Sequence, residues 1–476
     1  MHDNTTVFRL FLLLILAAPA IHAAAPNVLL IAVDDLNADL GCYGHPLVHS
    51  PNVDRLAKRG LRFDKAYCQY PVCSPSRSSF MTGLYPEQSG VLSNAGHFRK
   101  KHPDLVSLSQ HFMKHGYFAA RVGKIYHYGV PLMIGTDGVD DNLSWNKVVN
   151  PIGIDRTELD KVTTLRAGKY GGVMSWRIVD SKDEDHTDGQ GALAAVKLLE
   201  ENHPAKTGKP FFLAVGFYRP HTPYVAPTHY AKLYPLAKIK PQLEILGDRD
   251  DIPLAALADR AHQRELTLEQ RKEIIQAYYA STTLMDACLG RVLDALDRLK
   301  LTDNTIVVFL SDHGYHLGHH GLWQKGDLFE GSDRVPLIIS VPGMKTTGQA
   351  TQSLAELVDL YPTLADLCGL PLPAHLKGKS LAPILKNPKA TVKPVAFTVS
   401  HARGPIPGRP RPRPLGHTIR TPRYRYTEWL GGKHGIELYD YQNDPLEITN
   451  LAKSASHRAL LAKMKTLLKQ TRARTE

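Results

Sequence analysis

A chain of 476 residues with 43% hydrophobic content can bury a large core and form more than one domain. Its formal charge of +12 favours anionic partners by long-range steering. No finger spacing, RNA-recognition pattern or long base-reading helix is present, which argues against nucleic acid as the partner. The five cysteines, odd in number and spaced unlike a zinc site or a dense disulfide framework, exclude a cysteine-built scaffold.

In chain order, Arg9, an apolar run over 10–18 and a small-residue zone over 20–25 read as a secretory signal spanning residues 1–24. The run is short for a bilayer span and no other stretch is long and apolar enough. The expectation is export to the periplasm or the extracellular space, with no stable membrane insertion after cleavage. Beyond it, β-branched apolar runs at 27–33, 211–216, 305–311 and 337–341 read as buried strands of a parallel sheet. Helical patterns lie between them. One covers 52–59 and stops at Gly60, and another covers 107–115 and stops at Gly116. The longest opens at Thr267, with Gln270 completing a capping box, and runs to about residue 300. It sets Ile274, Tyr278, Met285, Leu289 and Leu296 on one face. Alternating strands and helices give an α/β fold with helices on both faces of the sheet. From about residue 395 the segments shorten, at 395–399, 417–420, 424–429 and 437–440, and a helical pattern follows over 455–469. This reads as a smaller antiparallel sheet plus a helix. The expected division is a main domain over 25–388 and an α+β subdomain over 389–476. The Pro/Arg-rich stretch 403–414 reads as a stiff solvated loop, with an anionic-substrate rim as the other reading. Cys288 and Cys368, on helix-like segments, read as free buried thiols.

The pentapeptide Cys73-Ser74-Pro75-Ser76-Arg77 is the densest local signal. Pro75 can open a helix over 75–82, stopped by Gly83. That puts Cys73 at a helix N-terminus, where unpaired N–H groups and the helix dipole favour anions. Arg77, one turn in, adds a planar donor suited to sulfate or phosphate, and nearby positive charge activates a thiol. By itself the pentapeptide fits a small buried cysteine before an ordinary helix start equally well. Four strand-like segments also end in reactive side chains: Asp34-Asp35; Gly123-Lys124 with His127; Arg219-Pro220-His221; and Asp312-His313-Gly314. Ligands of open α/β sheets sit beyond those carboxyl ends. Asp34, Asp35 and Asp312 are hard oxygen donors that suit Ca²⁺ or Mg²⁺, while His313 leaves room for a transition metal. Arg77, Lys124, His127, His221 and Lys325 supply positive charge and proton transfer for a sulfuryl or phosphoryl group in transit. Asp34-Asp35 alone reads as well as a helix-capping pair, and Lys325 alone as a solvated lysine.

Together these segments resemble the formylglycine-dependent type I sulfatases of the alkaline-phosphatase-like superfamily. Further support comes from Gly41-Cys42-Tyr43-Gly44, Ser50-Pro51-Asn52, the run 211–216, Ile419-Arg420-Thr421 and Tyr424-Arg425-Tyr426. The likeness extends from about Asn27 to the tail. It implies a large mixed, mostly parallel sheet flanked by helices. It implies that Cys73 is oxidised to formylglycine, whose hydrate is the nucleophile. It also implies one Ca²⁺ held by Asp34, Asp35, Asp312 and His313, with residue 73 completing the shell. Arg77 and Lys124 would orient the hydrate and the sulfate, and His127 would assist release of sulfate from the enzyme. His221 and Lys325 would hold the sulfate and protonate the leaving alcohol. The implied activity is sulfuric ester hydrolysis on a sulfated saccharide, an iduronate-2-sulfate-like or other polysaccharide unit, with a formylglycine-generating enzyme as maturation partner. A phosphate or phosphonate ester hydrolase of the same superfamily, and an inactive sulfated-glycan-binding protein, stay open beside it. The sequence departs from the family at His417, where an aromatic residue is expected, over 142–184 and in the Pro/Arg-rich stretch.

Overall fold

The computed structural model describes residues 25–475 except 243, 259, 407 and 409–412, so the expected signal segment lies outside the described residues. In chain order the longer elements are β1 (Asn27–Val33), α1 (Pro51–Arg59), β2 (Leu61–Tyr67), α2 (Cys73–Thr82), α3 (Leu108–Lys114), β3 (Phe118–Gly123) and β4 (Lys147–Val149). Then come α4 (Thr187–Glu201), β5 (Phe211–Phe217), α5 (Leu268–Arg298), β6 (Thr305–Ser311), β7 (Arg334–Ser340), the short β8 (Ala350–Thr351) and α6 (Leu360–Leu367). The tail holds β9 (Ala396–His401), β10 (Leu415–Arg420), β11 (Tyr424–Trp429), β12 (Ile436–Asp440) and α7 (Arg458–Thr475).

The large sheet runs β8-β2-β7-β6-β1-β5-β3-β4. Its central strand β1 pairs in parallel with β5 and β6 and is buried along its whole length. Alternate side chains of β1 serve two cores, as the period of two in a strand requires. Leu29, Ile31 and Val33 pack with residues of α1, α4 and α5, whereas Val28, Leu30 and Ala32 pack with residues of α2, α3 and α6. This is the helix–sheet–helix layering expected for a mostly parallel sheet.

One strand corrects the reading. The run expected at 337–341 as a parallel strand is β7, antiparallel to both β2 and β6. A strand buried on both faces is a continuous apolar run whichever way it points, so the pattern carries burial but not direction. The reversal matters for the site. Residues 312–333, which link β6 to β7, stay at the carboxyl end of the sheet and fold there into a small hairpin, His316–Leu317 against Trp323–Gln324. The pattern also missed β2, an edge-side strand of mixed composition, and a three-stranded sheet of Thr163–Thr164, Ser175–Val179 and Tyr224–Pro227 within and beyond the divergent stretch.

The capping box predicted for α5 is present, with the Gln270 N–H donating to Thr267 Oγ1 at 3.2 Å and the Thr267 N–H to Gln270 Oε1 at 3.0 Å. Halfway along α5, the buried Asp286 carboxylate accepts from the Asn52 and Val53 N–H groups and so caps α1. In the tail, β9 to β12 form an antiparallel sheet whose inner residues Ile419, Tyr426 and Leu438 pack on Met464 and Leu468 of α7. Polar bonds tie this sheet to the main one: Thr398 Oγ1 donates to the Cys68 carbonyl at 2.6 Å, and the Phe397 N–H to Glu356 Oε1 at 2.9 Å. His417 does the work of the expected aromatic residue, its ring stacked 6.0 Å from that of Phe397 and its Nε2 3.2 Å from Glu87. All five cysteines are free; Cys288 is buried as expected, but Cys368 is only half-buried, because it lies just past the end of α6.

The ends of β3 and β5 approach closely. Gly123 takes the left-handed conformation, φ 67°, and a Cβ on the facing Gly216 would run into the Lys124 backbone. Gly216→Ala is therefore expected to destabilise the fold by about 1–3 kcal/mol, read as a lower urea midpoint at unchanged slope. Gly172→Ala, where an added Cβ meets open space, should stay within about 0.5 kcal/mol of the parent.

Candidate active site

The ten residues singled out from the sequence lie on six separate stretches of chain, and the fold gathers them at the carboxyl end of the sheet. Asp34 and Asp35 follow β1. Asp35 takes a left-handed φ of 61°, and its carbonyl accepts from the Tyr278 hydroxyl of α5 at 2.7 Å. Asp312 and His313 follow β6, where the Asp35 N–H reaches Asp312 Oδ1 at 3.3 Å. Lys124 and His127 follow β3, and His221 follows β5. Lys325 comes from the hairpin between β6 and β7.

Helix α2 begins at Cys73 rather than at Pro75, so Pro75 is its third residue and not its first. No cost follows, because the first four N–H groups of a helix have no intrahelical partner. The first intrahelical bond is Ser76 N–H to the Val72 carbonyl at 3.2 Å. Every residue of α2 is buried, which places the Cys73 thiol and the helix N-terminus inside the protein. The Sγ lies 3.3 Å from Asp34 Oδ1, 3.5 Å from His313 Nε2 and 3.2 Å from Lys325 Nζ. Arg77, one turn on, donates from Nε to Asp312 Oδ2 at 2.8 Å and from Nη1 to the Ile125 carbonyl at 3.1 Å. Lys124 Nζ contacts Asp34 Oδ2 and Lys325 Nζ contacts Asp35 Oδ1.

The electrostatics follow from burying these charges together. Burial pushes the Cys73 thiol up, but Lys124, Lys325, His127 and His221 outweigh it and hold the thiol well below the ordinary range. Burial and Cys73 raise Asp34, yet Lys124, His221 and Arg77 keep it below the usual carboxylate range. Asp312 behaves oppositely: burial pushes it up to about 6, against Arg77 and His313. His313 is raised, since Asp312 overcomes the desolvation. His127 is lowered, chiefly by burial.

Two histidines are fixed by their outer nitrogens. His313 Nδ1 lies 2.8 Å from the Gly314 carbonyl, so that nitrogen carries the proton and Nε2 presents a lone pair to Cys73, Asp35 and Asp312 at 3.4–3.5 Å. His221 Nδ1 is 2.6 Å from the Thr222 carbonyl, with Nε2 3.8 Å from Asp35 Oδ2. Asp34, Cys73, Asp312 and His313 form one group able to hold a metal ion, and Asp34, Asp35, Cys73 and His221 form another that overlaps it. Asp35 Oδ2 is buried without a hydrogen-bond partner, a free acceptor aimed among these groups.

Sequence reasoning missed the residues that hold this set in place. Asp188 of α4 accepts from the Tyr218 and Arg219 N–H groups at 2.8 Å each, and Asp155 pairs with the buried Arg219 at 2.5 Å. Together they fix the turn that carries His221. Ser76 Oγ donates to the Asp312 carbonyl, and Ser311 Oγ accepts from the Leu36 N–H at 3.0 Å. Asp155 and Asp188 had no local signal, since they act only through a turn distant in sequence.

Comparison with known proteins agrees with the geometry. The sulfatase family profile matches residues 26–370, and the profile for the N-sulphoglucosamine sulphohydrolase C-terminal region matches 318–474. Iduronate 2-sulfatase of Mus musculus is 32% identical over 92% of this chain and 92% of its own length. Among solved structures, a protein in complex with its substrate D-glucosamine-2-N,6-O-disulfate superposes with a TM-score of 0.74 at 20% identity, covering 95% of this chain and 98% of its own. The phosphonate monoester hydrolase of Agrobacterium radiobacter gives 0.77 at 24% identity, covering 95% and 96%. The likeness to these two structures bears on fold, whereas the profile match and the 32% identity bear on descent, and by them the chain belongs to the sulfatase family.

Proposed function

We propose that this sulfatase removes sulfate from a sulfated sugar, an iduronate-2-sulfate-like or related polysaccharide unit, using formylglycine at residue 73 and one Ca²⁺. The observation that carries the reading is the burial of Cys73 at the N-terminus of α2, within 3.5 Å of Asp34, His313 and Lys325. The likeness to iduronate 2-sulfatase supports the sugar class. The cation is supported by the donor set: three buried carboxylates, an unpartnered Asp35 oxygen, and an Asp312 carboxyl that lacks enough nearby positive charge to stay low. Oxygen donors in that number suit Ca²⁺ better than a soft metal. Asp34, Asp35, Asp312 and His313 would hold it, with residue 73 at its edge.

The thiol sulfur stands where the oxygens of formylglycine would lie. Oxidised by a formylglycine-generating enzyme, residue 73 would supply a hydrate hydroxyl as nucleophile, and the cation would stabilise negative charge on the oxygens around sulfur. The protein's own groups do the rest. Arg77, locked on Asp312 and on main-chain carbonyls, keeps positive charge at the base of the site. Lys124 and Lys325 present ammonium groups to developing charge on the sulfuryl oxygens. His127, with its pKa lowered, is neutral near pH 7 and can accept a proton at the residue 73 side. His221 Nε2 faces the site from the other side and can pass a proton to the leaving sugar oxygen. The basic surface suits a polyanionic glycan. We read the protein as exported; among the described residues no helix is long and apolar enough to cross a membrane.

In protein made by a host with a formylglycine-generating enzyme, the peptide spanning residue 73 is expected to carry an aldehyde by mass spectrometry. The enzyme should then release sulfate from a 2-O-sulfated uronate disaccharide, and Cys73→Ser should show no repeated turnover. Lys124→Ala should lower kcat by about 10²–10³. Repeated turnover by Cys73→Ser, or preference for a phosphonate ester over the sulfate ester, sinks the proposal. Exhaustive chelation should abolish sulfate release, and Ca²⁺ should restore it. Full activity in protein that elemental analysis finds free of divalent metal would remove the cation from the scheme.

A further inference from the structure

A second group of ligand-type side chains lies outside the active site. His319 and His320, in the hairpin between β6 and β7, meet Glu447 from the segment after β12, each offering a donor atom within 4.8 Å of the other two. We propose that these three residues bind a zinc ion that pins the hairpin to the C-terminal sheet.

The imidazoles are set up for it. His320 is fully buried in its side chain, and its Nδ1 lies 2.9–3.0 Å from both carboxylate oxygens of Asp248. That bond places the proton on Nδ1, and the opposite nitrogen, Nε2, is buried with no hydrogen-bond partner. A buried lone pair with nothing to accept is costly, and a carboxylate behind the ring is the usual outer partner of a metal-bound histidine. His319 is arranged likewise: its Nε2 lies 2.7 Å from the Leu446 carbonyl, leaving Nδ1 as the lone-pair nitrogen. The two rings stand 4.0 Å apart, and burial, with His320 and His316 nearby, holds His319 at about 3, in the neutral form that ligates.

Charge points the same way. Glu447 is buried beside Arg425, yet its carboxyl is raised by burial and by Glu330. Asp333, also on Arg425, is raised by burial and by Asp327 and Glu447. Arg425, with Arg420 on Glu330, offsets the burial of these carboxyls only in part. Two imidazoles and one carboxylate suit zinc, which takes His nitrogen at about 2.0–2.1 Å and leaves a fourth position for water. A cleft of about 430 Å³ lined by Asp39, His316, His319 and Glu330 opens beside His319. The hairpin leads into Lys325, so the ion would steady that side chain without touching the reacting groups.

The full-length protein, stripped of metal and refilled with excess Ca²⁺, is titrated with Zn²⁺ alone, and zinc is counted per chain after desalting. The parent and Cys73→Ala should each retain one equivalent, and His319→Ala none. Asp248→Asn should weaken zinc binding about 10- to 100-fold. His319 is half-exposed, so its truncation should leave the circular dichroism near the parent's. If it unfolds, Asp248→Asn decides. Equal retention by His319→Ala, loss of the zinc in Cys73→Ala, unweakened binding by Asp248→Asn, or no zinc held by the parent at micromolar concentration overturns the proposal.

Discussion

Three carboxylates, Asp34, Asp35 and Asp312, are buried side by side at the ends of two adjacent strands, and much of the structure answers that placement. An unpaired buried carboxylate costs several kcal/mol, and like charges in one site raise each other's pKa. The fold meets the demand with Arg77, Lys124 and Lys325, each brought from a different element and each in contact with one of the three. The same cations then act on residue 73. A thiol buried in apolar surroundings is inert, but this one is held well below its usual range because the charges that neutralise the carboxylates lie within reach of it.

Backbone constraints make the gathering possible. Strands β1 and β6 run in register, Val33 beside Ser311, so that Asp34 and Asp312 emerge as neighbours. Gly123 and Gly216 let β3 approach β5 closely enough for Lys124 to lean over Asp34. Helix α2 points its N-terminus at the same place because Ser76 and Arg77 both anchor on Asp312. These are rigid, buried elements, which is how a site is kept at the geometry its chemistry needs.

Much of this was legible in the sequence because it rests on local patterns. Burial periodicity gave β1 and β6, the Thr267/Gln270 box gave the start of the longest helix, and the polar residues after each strand gave the groups at the site. What was not legible depends on distant partners. The direction of β7 leaves no trace in an apolar run. Lys325 looks like any solvated lysine until the hairpin turns it onto Asp35. The helix start at Cys73 is set by the packing of its whole surface, which overrides the preference of Pro75 for the first position.

The C-terminal sheet is part of the site's foundation. Arg425 of β11 is buried among Asp333, Glu330 and Glu447, at 2.5, 2.8 and 3.1 Å. Two of those carboxylates lie at the end of the excursion between β6 and β7, the segment that carries His313 at one end and Lys325 in its middle. Ser400 Oγ of β9 donates to the Gly326 carbonyl at 3.0 Å, next to Lys325 itself. A charged guanidinium withdrawn from water is held by satisfying its donors, and truncating it would leave the buried Asp333 and Glu447 carboxylates without their arginine partner, while Glu330 would keep Arg420. The excursion is thus clamped from the side opposite the main sheet, and Lys325 reaches Asp35 and Cys73 because residues more than seventy positions later fix the chain on which it rides.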